Sequence, residues 1–591
     1  HTLCAREEDT ALSLSLSLFV SLSLSLCLCC VLCCGDRMSR SVCASLVLPL
    51  LLAAVLLLGV SVSVSTAQEE GEGESGCMLC VVVVSLGENE IRNLKQPIVN
   101  TLEKVCHTFG TGNGFQKWCS TFVKALGPSI LELILRKEDA TKVCQQLKMC
   151  KMCHLTESNQ DLSLMASSRN MTAVDLQNGA EVLAGLLYLQ KLDLGAQAEK
   201  KTMGSLIGDL FGTYKPYVDV DKDGYSPVVL HRGAHWRGRD CWDIDRKIHP
   251  GQVPAPDALV DSNCNGIHGK NSHGHSYETQ FCEGSDMRGL VTFGDSASSG
   301  FHLAEDWIYI KDLKSLLPSL LDEIDRPQLS WDSGFMSSIR GESVYLKMLA
   351  NNRCNHRQFS NLGHNGAQMK DLSEQVSLLK SSSHSLPFLA FVAYIGNDVC
   401  QDSLDMMTTP ETYRQQLLQG LQELDAIAPP NSKVVLMGLV DGRILWDSLY
   451  NRRHPLGSTY EQFWNFLTCT GSNPCATWLT ADEATRNATT HRAMELSSVL
   501  EEVAKAQGYT NLELSYEEFP LAEALDELKK EGKDPAELIE PVDGFHPGEY
   551  GHRLLARIIW DHITQKTPHF VSAVNPHNQD IQNIFGDQGG Y

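Results

Sequence analysis

Six cysteines, Cys77, Cys80, Cys106, Cys119, Cys144 and Cys150, punctuate a stretch whose apolar residues recur at helical spacing. This feature constrains the fold most tightly, because half-cystines so close together admit only a small, stapled helical module. Ile98, Leu102 and Val105 follow Pro97, which suits a first helical position. Phe122, Val123 and Leu126 begin a second pattern that continues through Ile130, Leu131, Ile134 and Leu135. Spacing alone leaves every pairing of the six cysteines open.

A staple of this kind needs an oxidising compartment, and the N-terminus predicts one. Residues 1–37, with repetitive Ser-Leu and Leu-Cys runs, read as an upstream region translated with the gene. Residues 38–67 read as a signal peptide: Met38, a basic Arg40, an apolar run over 46–62 and a small-residue site at Ser65-Thr66-Ala67. No basic flank follows that run, so a transmembrane anchor is not expected. Of the 21 cysteines in the chain, seven precede residue 68 and fourteen follow it, an even number for a secreted protein. The sequons at Asn170 and Asn487 agree with secretion.

A formal charge of −23 excludes the basic face of a nucleic-acid binder, and 43% hydrophobic residues exclude disorder throughout. The chain divides into a cysteine-rich domain at 77–153, a polar linker and processing region at 154–214, a Gly-, Asp- and His-rich region at 215–285 and a large domain at 286–591. In the last, apolar strands at 290–293, 388–395 and 434–440 alternate with helical stretches. That alternation predicts an α/β architecture with a mainly parallel sheet.

The Asp-rich region predicts calcium. Asp219, Asp221 and Asp223 stand at alternate positions before Gly224, so their carboxylates converge and the Tyr225 carbonyl follows as a further oxygen. Leu230 stands where an EF-hand needs a bidentate Glu, so other oxygens must complete the shell; Asp240, Asp243 and Asp245 are candidates. A second loop repeats the pattern with Asp261, Asn263, Asn265, Gly266 and the Ile267 carbonyl.

Chemistry is predicted at the ends of the strands. Gly294-Asp295-Ser296 ends the first strand and places a serine at the start of a helix. Asn361-Leu362-Gly363-His364-Asn365-Gly366 is a Gly-rich turn, Gly396-Asn397-Asp398 ends the strand at 388–395, and Asp543-Gly544-Phe545-His546 precedes a helical run over 554–563. A serine needs a base, the base a carboxylate, and an oxyanion needs preorganised donors.

These four elements, in this order, resemble the SGNH (GDSL-type) hydrolase family. The resemblance implies a three-layer αβα fold with Ser296 as nucleophile, His546 as general base and Asp543 as its orienting carboxylate. It also implies that Gly366, with Gly363 as fallback, and Asn397 form the oxyanion hole. An insertion over 301–355 departs from the family pattern. The cysteine-rich domain resembles the saposin-like family of lipid-interacting modules. That likeness implies the pairs Cys77–Cys150, Cys80–Cys144 and Cys106–Cys119, and leaves Cys153 to bridge to one of seven later cysteines. The combined order resembles secreted or lysosomal esterases that remove secondary fatty acyl chains from the lipid A of bacterial lipopolysaccharide. Lipopolysaccharide and phospholipids are thus the expected partners, structural calcium the expected cofactor, and a disulfide-linked two-chain form follows if the linker is cut. A broad phospholipase and a lipid carrier with an inert hydrolase domain are the alternatives.

Overall fold

The computed structural model describes residues 155, 180, 183 and 215–591, apart from 217, 230–231, 256–259, 304–324, 337–341, 382–384 and 507. The signal peptide, the six-cysteine frame with its pairing, Cys153 and the sequon at Asn170 lie outside the described residues.

Five parallel strands form one sheet in the order β2-β1-β3-β4-β5. They are β1 (Gly289–Gly294), β2 (Phe359–Asn361), β3 (Phe388–Ala393), β4 (Ser432–Met437) and β5 (Leu512–Glu517). Every residue of β1, β3 and β4 is buried, because helices cover both faces of a parallel sheet and its central strands must be apolar throughout. The strands expected at 388–395 and 434–440 end earlier, at Ala393 and Met437, where the chain turns into the loops of the carboxyl edge.

Two strands escaped the sequence pattern. β2 is only three residues long, and β5 mixes Leu512, Leu514 and Tyr516 with Glu513, Ser515 and Glu517. β5 is an outer strand, where charge is tolerated. Lys433 of β4 pairs with Glu513 directly across the ladder at 2.6 Å.

Short helices α1 (Tyr277–Cys282) and α2 (Ser296–Ser299) flank β1. One helical layer consists of α3 (Leu372–Leu378), α4 (Pro410–Ile427) and the long α5 (Glu483–Ala506), with α5 against β4 and β5. The other layer is built around α6 (Glu549–Lys566), which extends the run expected at 554–563 to both sides. Beside α6, Trp331 packs edge-on against Phe391 of β3, with ring centroids 5.0 Å apart, and its backbone N–H donates to His552 Nδ1 at 3.3 Å. The result is a three-layer αβα domain.

The Asp-rich region is fastened to this sheet. Gly238 N–H donates to the Phe359 carbonyl (2.9 Å) and Asn361 N–H to the Trp236 carbonyl (2.7 Å), so residues 236–238 run antiparallel to β2 and cover the open edge. The disulfides Cys241–Cys264, Cys282–Cys354 and Cys400–Cys475 hold the loops. Cys469 is disulfide-bonded too, with a partner outside the described residues. Among the described residues no helix is long and apolar enough to cross a membrane.

Candidate active site and acidic loops

Ser296 owes its position to the two residues before it. Asp295 caps α2 by accepting the Ala297 N–H at 3.0 Å, and its second oxygen accepts the Ile395 N–H at 2.8 Å, tying the end of β1 to the end of β3. Burial pushes the Asp295 carboxyl up to about 6, against the pull of these N–H donors. Gly294 is required by space: a Cβ there would lie 2.6 Å from Ser298 Oγ and 2.9 Å from the Ala393 carbonyl. Gly294→Ala is therefore expected to lower both the melting temperature and the turnover rate, by displacing the strand-to-helix turn that holds Ser296. Circular dichroism melts and ester assays on the purified variant check this; an unchanged pair of values would contradict the packing argument.

The residues Asp543 to His546 reach the same point from far along the chain. Asp543 is fully buried and accepts three hydrogen bonds: Phe545 N–H at 2.8 Å, His546 N–H at 3.2 Å, and the imidazole Nδ1–H. With Nδ1 held as a donor to this carboxylate, Nε2 is left as an acceptor, and it lies 2.7 Å from Ser296 Oγ. The rings of Phe301 and Phe545 pack on the imidazole at 4.5 and 4.9 Å and shield it from water. Gly544, at φ +66°, provides the left-handed turn; a Cβ there would meet the Tyr460 ring at 2.7 Å.

Asn397 lines the same cleft as Ser296, and its amide reaches the turn that carries Gly366. The Asn397 amide donates to the Ala367 carbonyl at 3.0 Å, using one of its two N–H groups. Its backbone carbonyl accepts from Gln368 and Gln401 at 3.0 and 2.6 Å. Gly366, at φ +77°, is the second central residue of the turn closed by Ala367 N–H to the His364 carbonyl (3.2 Å), a position that favours glycine. The fallback, Gly363, is otherwise engaged: its N–H donates to Asn361 Oδ1 at 2.9 Å and its carbonyl accepts from Arg232 at 2.8 Å. A cleft opens from Ser296, His546 and Asn397 between apolar side chains that include Val440, Leu445, Phe519 and Leu538.

The acidic loops are built alike. Asp219 accepts the N–H groups of Asp223 (3.2 Å) and Gly224 (2.9 Å), and Asp261 accepts those of Asn265 (3.1 Å) and Gly266 (2.7 Å). Gly224 and Gly266 both have positive φ, +93° and +80°. In the first loop Asp221, Asp223 and Asp240 each spend one oxygen on a backbone N–H, those of Asp223, Tyr225 and Trp242. The other oxygen of each is buried without a hydrogen-bond partner. Ligand atoms of Asp221, Asp223 and Asp240 lie within 4.8 Å of one another, and so do those of Asp219, Asp221 and Asp243. Burial and the adjoining carboxylates hold Asp223 up at about 7 and Asp240 at about 6. Convergent hard oxygens left unpaired in a buried pocket fit a calcium ion.

Asp245 is corrected by the structure: it is exposed and its carboxylate closes its own turn onto the Lys247 N–H at 3.2 Å, so it joins neither cluster. The side chain of Tyr225 turns away as well, its ring stacked on His249 at 4.7 Å, while its N–H is held by Asp223. Ile267 likewise gives its N–H to Asn265 (2.8 Å) and buries its side chain. In the second loop the amides of Asn263 and Asn265 both donate to Glu278 of α1, at 3.0–3.2 Å. Glu278 is buried and was missed in the sequence, where only its acidity, and no spacing, connects it to the loop.

Comparison with known proteins matches residues 290–559 to the GDSL-like lipase/acylhydrolase family and residues 119–150 to region 2 of the saposin-like type B family. The human acyloxyacyl hydrolase is 35% identical over 543 residues, covering 87% of this chain and 93% of that protein. The mouse and rabbit acyloxyacyl hydrolases are likewise 35% identical over the same shares. A hydrolase-type serine centre in a GDSL domain, with relatives matched along almost their whole length, makes this chain a carboxylic ester hydrolase of the acyloxyacyl hydrolase family.

Proposed function

We propose that the protein hydrolyses acyloxyacyl esters, those joining a fatty acid to the hydroxyl of another acyl chain, as in the lipid A of bacterial lipopolysaccharide. The observation that carries this reading is the Ser296–His546–Asp543 relay at the mouth of an apolar cleft. Ser296 Oγ attacks the ester carbonyl while His546 Nε2 takes its proton. The second Asn397 N–H and the Gly366 N–H stabilise the oxyanion, and the imidazolium returns the proton to the departing hydroxyl. Water, deprotonated by His546, then releases the fatty acid from Ser296. The apolar cleft shelters the acyl chain that has been withdrawn from its aggregate, a transfer worth about 25 cal/mol per Å².

On this reading Asn397→Ala lowers kcat by roughly a hundredfold or more with little change in KM, the usual cost of one oxyanion donor. Steady-state kinetics check it; a near-normal kcat would place the donor elsewhere. The acidic loops would bind calcium structurally, through Asp219, Asp221, Asp223, Asp240 and Asp243 in the first loop and Asp261, Asn263, Asn265 and Glu278 in the second. The described disulfides support a secretory or lysosomal location. The cysteines outside the described residues all precede Leu155, so the Cys469 bridge would hold two chains together after a cut in the linker. Mass spectrometry of fatty acids released from lipopolysaccharide and from phospholipid tests the substrate: release of secondary chains is expected, and release from phospholipid alone would favour the phospholipase reading.

A further inference from the structure

The carboxyl end of β1 lacks a neighbouring strand on one side, and a single side chain takes its place. In a parallel ladder, alternate residues of a strand direct both backbone polar groups to the same neighbour. Leu290 and Thr292 face β2: Leu290 N–H donates to the Gln358 carbonyl at 2.9 Å, and Leu362 N–H to the Thr292 carbonyl at 2.8 Å. By this alternation Gly294 faces the same side, but β2 has ended at Asn361. Gly294 meets the side chain of Gln375, on α3, instead. Its N–H donates to Gln375 Oε1 and its carbonyl accepts from Gln375 Nε2, both at 2.9 Å. One planar amide thus supplies the acceptor and the donor that a longer β2 would have supplied.

The same amide reaches the other segments of the site. Gln375 Oε1 also accepts the Tyr394 O–H at 2.9 Å, and Tyr394 follows the end of β3, three positions before Asn397. The Gly294 carbonyl accepts a second bond, from His364 N–H at 3.1 Å, two positions before Gly366. The segments that carry the nucleophile and both oxyanion donors therefore converge on this point. Gln375 and Tyr394 are fully buried, so water does not compete for the bonds between them. A polar side chain in a core is costly unless every bond is made, and an apolar one of equal volume would fill the space more cheaply.

We propose that Gln375 is a positioning residue for the hydrolysis. It fixes the end of β1, and with it the place of Ser296 relative to Gly366 and Asn397. Ser296 lies two residues beyond Gly294, so a shift of the strand end carries Oγ along. A displacement of about 1 Å at a reacting group can cost roughly a hundredfold in rate. Gln375 acts through Gly294 and Tyr394, so its loss changes turnover and leaves substrate affinity alone. The proposal rests on Ser296 as the nucleophile, and not on which ester is cleaved.

The test uses the full chain, a water-soluble short-chain ester and variants whose melting curves are recorded alongside. Gln375→Met keeps the volume and removes the three hydrogen bonds. It is expected to lower kcat by about tenfold to a hundredfold, with KM within about twofold of wild type. Gln375→Glu keeps the shape. At about pH 5 burial holds its carboxyl protonated, so C=O and O–H stand in for C=O and N–H. At that pH it should recover kcat to within about threefold of wild type. Tyr394→Phe removes one hydroxyl and should lower kcat by about threefold at unchanged KM, which decides the matter if Gln375→Met does not fold. A folded Gln375→Met protein with wild-type kcat and only a lower melting temperature would overturn the proposal and make Gln375 a stabiliser. So would equal losses in Gln375→Met and Gln375→Glu at about pH 5, or wild-type kcat in Tyr394→Phe. Ser296→Ala keeps the two readings apart: its loss of activity is expected whatever Gln375 does, and retained activity there would remove the relay and this proposal with it.

Discussion

Ser296→Ala is expected to lose ester hydrolysis by roughly four to six orders of magnitude in kcat, as removal of a triad nucleophile does elsewhere. No neighbouring hydroxyl can substitute. Ser299 Oγ donates to the Asp295 carbonyl at 3.2 Å, and Ser298 is fully buried with its Oγ packed beside Gly294. The fold should survive, because the variant gives up one Ser296–His546 hydrogen bond, worth about 1 kcal/mol net, and leaves the Asp295 cap intact. A short-chain ester assay with a melting curve on the same preparation checks both halves. Activity within tenfold of wild type would remove Ser296 from the mechanism; a collapsed melting curve would show that the residue serves the fold instead.

Calcium removal should have the other large effect, on stability first. Stripped of a cation, Asp221, Asp223 and Asp240 face one another with three buried, unpartnered oxygens. No hydrogen-bond donor among the described residues reaches those three oxygens. A ligand held at a thousandfold excess over its Kd stabilises the folded state by about 4 kcal/mol, so chelation should lower the melting temperature by several degrees. Activity should be lost only as structure is lost, since the loops lend no group to Ser296 or His546. Elemental analysis of the native protein and melts with and without chelator decide it. A calcium-free native protein whose melting is indifferent to chelator would mean that the carboxylates are protonated instead.

The residues of the proposed reaction were legible because each sits in a short, local pattern with a chemical reason for its types. Gly-Asp-Ser after an apolar strand needs a glycine against Ser298, an acid to cap and a serine to react. Asp-x-x-His needs only the reach of one turn. The acidic loops were legible for the same reason, with alternate carboxylates followed by a glycine at positive φ. β5 was not, because at the outer position its Glu513 and Glu517 can be solvated or paired, and no unbroken apolar run is required.

What the sequence determined by itself was therefore the inventory of candidate reacting groups, their order, and the parallel sheet that carries them. Tertiary structure alone decided which of them meet. Ser296 and His546 are separated by 250 positions yet lie 2.7 Å apart, and Glu278 reaches the second loop although no spacing announces it. Gly363 remained a fallback to Gly366 in the sequence, and only the fold shows that Asn361 claims its N–H. Asp243 and Asp245 share a turn, but only Asp243 faces the cluster. The reason is physical: backbone patterns depend on the few residues nearest in sequence, whereas a site depends on distances between distant segments. Those distances are set by packing of the whole core.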